Sequence, residues 1–397
     1  GEQNEQVSGE TNIIAAGDIM LGRGVAKSLK ARGAGFSYPF AGVKSILEQG
    51  DIVFANLEHP LTERVESLDP KSKIVLKAEP EAVSGLAFAG FNIMSLANNH
   101  IMDYGVEGYV KTIELFKNSV LLGAGNWEEA YRIKVIEIES VKIGFLSLTH
   151  CEFGTLTDQY DLENHTGAAW ICHPDIPSVI VKGKREVDYL FVIAHGGIEF
   201  FDMPLPEWRD VYKGFVDLGA DAVVGSHPHV VQGWEVYKGS PIFYSLGNFC
   251  FQKSNPQAVR PGWNDSLSVV FTISQNSASG MYYDVHNIHF DGARLILSHD
   301  VELKMHIAEL NQILQDDRVY IERVNQHCAE LLPKYQSSFS LSGYHFLPSL
   351  KYRCLKKLMG VLLRRKKSKP VHIINNLRCE SHRWAILRAI LFKNQAG

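Results

Sequence analysis

The stretch Gly225-Ser226-His227-Pro228-His229 sets two imidazoles two residues apart, directly after the apolar run Ala222-Val223-Val224. Neutral imidazole is the commonest protein ligand for transition metals, so a strand that delivers two of them into a loop is a candidate metal site. Taken alone, His-x-His is a weak signal. Four other apolar runs end in the same manner. Residues 12–16 lead to Asp18, residues 51–55 to Asn56 and Glu58, residues 91–97 to Asn98, Asn99 and His100, and residues 188–194 to His195. Each ending also has an ordinary reading: Asp18 fits a helix N-cap, and Asn56 to Pro60 fits a polar turn. Five such coincidences in one chain favour a shared site, because ligands of open α/β sheets gather beyond the carboxyl ends of the strands.

A donor set of imidazole, carboxylate and amide oxygen suits Mn, Fe or Zn better than Ca or Mg, which take oxygen alone. Six or seven groups exceed what one ion with an open position needs, so the set predicts two divalent ions. Two ions about 3.5–4 Å apart activate a water between them and stabilise both attacking and leaving oxygens. A carboxylate between the ions offsets their repulsion, and Glu58 is the candidate. His100, just outside the ligands, is the candidate acid for the leaving group. Arg23 offers a planar fork for a substrate phosphate or carboxylate, or else a structural ion pair. Glu199 either orients His195 or faces solvent.

These residues need strands to carry them. The apolar runs predict buried strands over 12–16, 51–55, 91–97, 188–194 and 222–224. Helices are predicted over 108–116 and 206–218, hairpins over 132–148 and 233–246, and further strands through 267–297. His286 and His289 read as cross-strand polar residues rather than as ligands. Residues 151–177 read as a long irregular insertion facing substrate. From Glu302 the spacing of Ile307, Leu310, Ile313 and Leu314 turns helical. The domain reading is a polar lead over 1–11, an α/β domain over 12–300 and a helical extension over 301–397.

The net charge of −4 is unevenly spread. From Lys351 onward thirteen Lys/Arg face one acid, Glu380, so that tail carries about +12 and the preceding residues about −16. Basic amphipathic segments at 355–365 and 384–392 suit an anionic membrane surface or polymer, or a helix packed on the acidic body. RNA binding lacks an aromatic-interleaved motif. Six cysteines without CxxC spacing read as reduced thiols and lean toward a reducing compartment, hence a cytoplasmic or peripherally membrane-associated placement. No apolar run reaches the roughly 18–20 residues that span a bilayer.

The stretches Gly-Asp-Ile-Met-Leu-Gly-Arg (17–23), Asn-Leu-Glu-x-Pro-Leu-Thr (56–62) and Ser-Leu-Ala-Asn-Asn-His-x-x-Asp-Tyr-Gly (95–105) resemble the CapA family. So do Gly-Ser-His-Pro-His-Val (225–230) and Tyr-Lys-Gly-x-Pro-Ile-Phe-Tyr-Ser-Leu-Gly-Asn-Phe (237–249). That family comprises poly-γ-glutamate and capsule biosynthesis proteins related to calcineurin-like metallophosphoesterases, and its members are usually anchored and outward-facing. The resemblance runs from about residue 12 to 252 and omits the tail. It implies a four-layer αββα fold in which two sheets pack between helices, with a dinuclear site at the strand ends. By position, Asp18 and His229 would hold one ion and Asn99, His195 and His227 the other, with Glu58 bridging and His100 as acid. Asn56, Asn98 and His59 would stand around them.

Two departures stand out, the first thinning the shell of one ion and the second touching substrate choice. Met20 replaces a His usual two residues after the first Asp. The segment His195-Gly196-Gly197-Ile198-Glu199-Phe200 lacks the family's Trp and Tyr. The expectation is a metal-dependent hydrolase acting on a phosphoester or on a polymer bond such as that of poly-γ-glutamate. The alternative is a polymer-binding accessory component of a synthesis or export complex.

Overall fold

In the computed structural model, residues 9–67, 74–156, 166–253, 255, 259–274, 280–339 and 375–395 are described. An eight-stranded sheet holds β1 (Glu10–Met20), β2 (Ile52–Leu57), β3 (Ile93–Ser95), β4 (Val120–Leu122), β14 (Asn248–Phe251), β15 (Asp265–Ser274), β16 (Met281–Phe290) and β17 (Leu295–Leu297). A six-stranded sheet holds β6 (Lys134–Ile138), β7 (Val141–Thr149), β10 (Tyr189–His195), β11 (Ala222–Ser226), β12 (Trp234–Tyr237) and β13 (Ser240–Phe243). Three short strands, β5 (Ala124–Gly125), β8 (Thr155–Leu156) and β9 (Gly167–Ala169), form a small third sheet. The predicted irregular insertion after Cys151 therefore contains paired strands, and its residues 157–165 lie outside the described part.

Parallel strands buried on both faces read as continuous apolar runs, and that is how the central strands of both sheets read. Ile13, Ala15, Phe54 and Phe271 from one sheet meet Phe145, Phe191, Val224 and Phe243 from the other in a shared core. Helices α1 (Arg23–Arg32), α2 (Lys44–Leu47), α3 (Val83–Ala89) and α4 (Gly105–Leu115) cover the outer face of the large sheet. A short α5 (Trp127–Ala130) carries a capping box from Asn126 and Glu129. Helices α6 (Ile176–Lys184) and α7 (Pro206–Asp217) pack on the other sheet, α7 burying Trp208, Tyr212 and Phe215. The layer order is αββα, as the family resemblance implies.

The helix α8 (Val301–Leu314) starts at its Asp300 cap and buries Ile307, Leu310 and Leu314. The first compact unit runs to Val324 and so takes in α8. The reason is a set of contacts that run past 300: Trp234 N–H donates to Asn311, Arg209 donates to the Leu314 carbonyl at 2.8 Å, and Tyr320 donates to the Pro204 carbonyl. Helix α9 (Asp317–Phe339) begins in this unit. In the second unit, which starts at Asn325, a final helix Glu380–Gln395 buries Ala385 and Ala389 and exposes Leu387, Ile390 and Leu391. The basic segment 355–365 lies outside the described residues.

One position shows how the scaffold delivers the first acid. Strand β1 pairs with antiparallel β15 as far as Ala15, then with parallel β14 from Asp18 onward. At the handover stands Gly17, where a Cβ would come within 2.0 Å of the Gly247 carbonyl oxygen. That closeness lets the Asp18 N–H donate to the same oxygen at 3.0 Å. Gly17→Ala should therefore push β14 away and displace Asp18. We expect a loss of about 1–3 kcal/mol in chemical denaturation, accompanied by weaker metal binding. Unchanged stability and metal content would contradict this.

Candidate metal centre

The C-terminal ends of parallel strands from both sheets meet along one edge. In the large sheet Asp18 on β1 lies in register with Asn56 on β2 and with Asn248 on β14. In the other sheet His195 on β10 lies in register with Ser226 on β11. Asp18 is thus a strand residue and not a helix cap; the cap of α1 is Gly22.

Glu58 follows β2 directly and has no solvent exposure, like Asp18. Its Oε1 stands 3.5 Å from Nε2 of His229 and 4.0 Å from Nε2 of both His195 and His100. Two donor triads share it. Glu58, His195 and His227 bring ligand atoms within 4.8 Å of one another, and so do Asp18, Glu58 and His229. Asn99 adds an amide oxygen 3.2 Å from His195 Nε2, while its amide donates to Glu152. All six expected ligands therefore converge, and Glu58 is common to both triads.

Asn56 has a different place. Its amide donates to Asp18 at 2.7 Å and lies 3.2 Å from His195 Nδ1, and its oxygen accepts from Asn98. Asn98 also donates to the Leu57 carbonyl and accepts from the backbone of His100 and Ile101, which pins the turn that presents His100. His227 and His229 hold positive φ angles of 98° and 60° around Pro228, a conformation costly for non-glycine residues. The backbone N–H of His227 donates to Asp18, and His229 Nδ1 lies 2.9 Å from the Asn248 oxygen, so the strained loop is held by the groups it serves.

Burial drives the electrostatics. It pushes the Asp18 carboxyl up, against the lowering influence of His229 and of hydrogen bonds from Asn56 and the His227 backbone. It pushes His195 well below the ordinary imidazole range and lowers His229 as well. Neutral imidazoles and a carboxylate that is costly to bury without a counter-charge are the donors a divalent cation needs. On these residues, the site fits divalent metal binding, with Glu58 common to both triads.

His100 stands beside this cluster with Nδ1 2.7 Å from Asp103 Oδ2, and Asp103 also accepts from the Leu76 N–H. Asp103, Ser226 and Asn248 escaped the sequence reading as site residues. For Asp103 the signal was present as an i, i+3 spacing to His100; for Ser226 and Asn248 it lay only in strand register. Three expected residues stand outside the donor triads. Arg23 is exposed and its guanidinium donates to the Val75 carbonyl at 2.7 Å. Glu199 is exposed, and His195 takes Asn56 and Ser226 as neighbours instead. His59 is fully buried and does not line the centre: Nε2 accepts from the Leu21 N–H at 3.0 Å while Nδ1 faces the Pro60 carbonyl at 3.2 Å. His289 pairs across strands with Asp265, as a polar sheet residue. At Gly196, where the family has Trp, a Cβ would lie 3.1 Å from the Trp208 ring, so Trp208 fills that room.

An αββα sandwich with a buried histidine–carboxylate–amide centre at its strand ends defines the class of protein. The chain belongs to the bacterial capsule synthesis protein PGA_cap family, whose family model matches residues 12–253. It is 33% identical over 286 residues to a capsule biosynthesis protein CapA of Bacillus anthracis, covering 70% of this chain and 66% of that one. It is 32% identical over 268 residues to the PGA biosynthesis protein CapA of Bacillus subtilis (strain 168), covering 66% of this chain and 67% of that one. The chain thus spans about two thirds of the length of these relatives. A crystal structure of a 5'-nucleotidase from Candida albicans superposes with a TM-score of 0.40 at 11% identity, covering 71% of this chain and 52% of that one. Among the described residues no helix is long and apolar enough to cross a membrane.

His59 generates a test of the site's frame. Burial lowers its pKa to about 4, so the folded chain holds it neutral and protonation favours the unfolded state. Its stabilising effect is complete above pH 6.5 and is lost as the pH falls toward 4, by about 3 kcal/mol. In ion-free protein His59→Gln, which retains an acceptor for Leu21, should flatten the fall in urea-unfolding stability between pH 7 and 4. Parallel pH curves for the two proteins would refute this role.

Proposed function

We propose that this chain is a metal-dependent hydrolase of capsule or extracellular polymer biosynthesis, cleaving a phosphoester or a polymer backbone bond. The observation that carries this reading is the position of Glu58 Oε1, shared by two donor triads and within 4.0 Å of three imidazole nitrogens. Family membership supports the polymer context.

Glu58 would join the two ions, with Asp18 and His229 on one side and Asn99, His195 and His227 on the other. Bound ions would supply Lewis-acid polarisation and a lowered pKa for an attacking water. The chain's own residues do the rest. Asn56 orients Asp18 and His195, and Asn248 orients His229. His100, with Nδ1 directed at Asp103, turns Nε2 toward the centre, where it holds a proton for the leaving group. Asp103 positions that ring.

Metal content should be about two ions per chain in the wild type. His100→Asn should retain the ions and lower kcat on a bis-phosphoester or on poly-γ-glutamate by about 10²–10⁴. Asp103→Asn should retain the ions and lower kcat by about 10–100-fold, with KM unchanged and partial recovery in Asp103→Glu. Two ions without turnover of either substrate would move the assignment to polymer binding within a synthesis or export complex. No metal under any loading condition would remove the centre itself.

A further inference from the structure

Beside the centre stands a cluster that the proposed chemistry does not use. The His229 ring packs against Trp263 and Phe251, each 5.1 Å away between ring centres, and lies 6.3 Å from Phe200. Two cations stand against these rings. Lys253 Nζ stands 4.2 Å from the centre of the Trp263 ring and 4.6 Å from that of Phe200, and the Arg260 guanidinium stands 4.4 Å from Phe200. Phe200 and Trp263 stack at 5.7 Å, so one aromatic platform carries both positive charges. Cations within about 6 Å of a ring face are attracted to it, and the rings restrict where the long side chains point.

The platform is built at some cost. Phe200 holds a φ of 64°, in the left-handed region, and its N–H donates to the Pro228 carbonyl at 2.8 Å. The strained residue is thereby tied to the histidine loop itself, the pattern found where a side chain must be aimed. Burial and the neighbouring Arg260 lower the Lys253 pKa, with Glu199 opposing. Lys253 is half-buried and Arg260 exposed, and both bring positive charge to the same Phe200 ring.

We infer that Lys253 and Arg260, on the Phe200–Trp263 platform, form a specificity subsite that binds an oxyanion of the substrate adjacent to the bond held at the centre. This rests on the proposed hydrolase reading and narrows its substrate class to polyanions that carry a carboxylate or phosphate next to the scissile linkage. The lysine supplies a point charge and the arginine a planar fork, a pair suited to either oxyanion. Because the rings preorganise both cations, little side-chain freedom is lost on binding.

The test is calorimetric titration of the full chain, as purified and after metal removal, with a γ-linked glutamate decamer and with tripolyphosphate. Binding of either probe is expected, weakening with salt. Lys253→Gln and Arg260→Gln should each weaken it about tenfold, while Lys253→Arg, which retains the charge, should bind. Tighter binding of the decamer would assign the oxyanion to a polymer carboxylate, and tighter binding of tripolyphosphate to a phosphate group. Failure of the wild type to bind either probe, or wild-type affinity in the double Gln variant, would overturn the subsite. Bis-phosphoester and poly-γ-glutamate hydrolysis, assayed in parallel, separates the two readings. Probe binding without turnover would remove the hydrolase alone, and turnover with unaltered binding in the variants would remove the subsite alone.

Discussion

Two carboxylates without solvent exposure, Asp18 and Glu58, stand among the imidazoles of His195, His227, His229 and His100, and this burial of charge is the constraint the rest of the structure answers. Transfer of a carboxylate out of water is unfavourable unless hydrogen bonds and opposite charge replace the lost hydration. Burial acts on the histidines in the opposite sense and holds His195 and His229 neutral. The result is a buried cluster rich in lone pairs, which is the condition a divalent cation satisfies.

Holding such a cluster takes rigid supports, and the fold spends backbone strain and polar networks on it. Gly17 lets two strands approach so closely that the Gly247 carbonyl meets the N–H of Asp18. Asn56 and Asn98 form a chain of amides linking Asp18, His195 and the turn before His100. The positive φ angles of His227 and His229 are tolerated because Asp18 and Asn248 hold that loop from both sides. Further out, Arg209 grips Glu235 through two hydrogen bonds at 2.6 and 2.9 Å and reaches the Leu314 carbonyl, so α8 is locked onto the sheet that carries His195.

Much of this was legible locally. Apolar runs ending in polar residues marked the strands and their functional ends, because strand side chains must be buried while strand tips need not be. What was not legible shares one cause. Arg23, Glu199 and His59 carry similar chemistry within a few residues of the converging donors, yet stand outside both donor triads. Arg23 turns to the Val75 carbonyl, Glu199 to solvent, and His59 inward to the Leu21 N–H. Proximity along a turn does not decide direction. Asp103 was the reverse case, a residue at helical spacing from His100 whose oxygen lies 2.7 Å from the imidazole.

By itself, the amino-acid sequence determined the family, the αββα class that the family implies, the strand ends and the kinds of donor gathered there. These follow from residue type and short-range pattern. Only the tertiary structure decided that Glu58 belongs to both triads at once, that α8 belongs with the sandwich, and that Lys253 and Arg260 share an aromatic platform with His229. Those facts depend on strand register and on contacts between residues as distant as Asp18 and His227, 209 positions apart. No local pattern encodes such pairings, because they arise only when two sheets close on a common core.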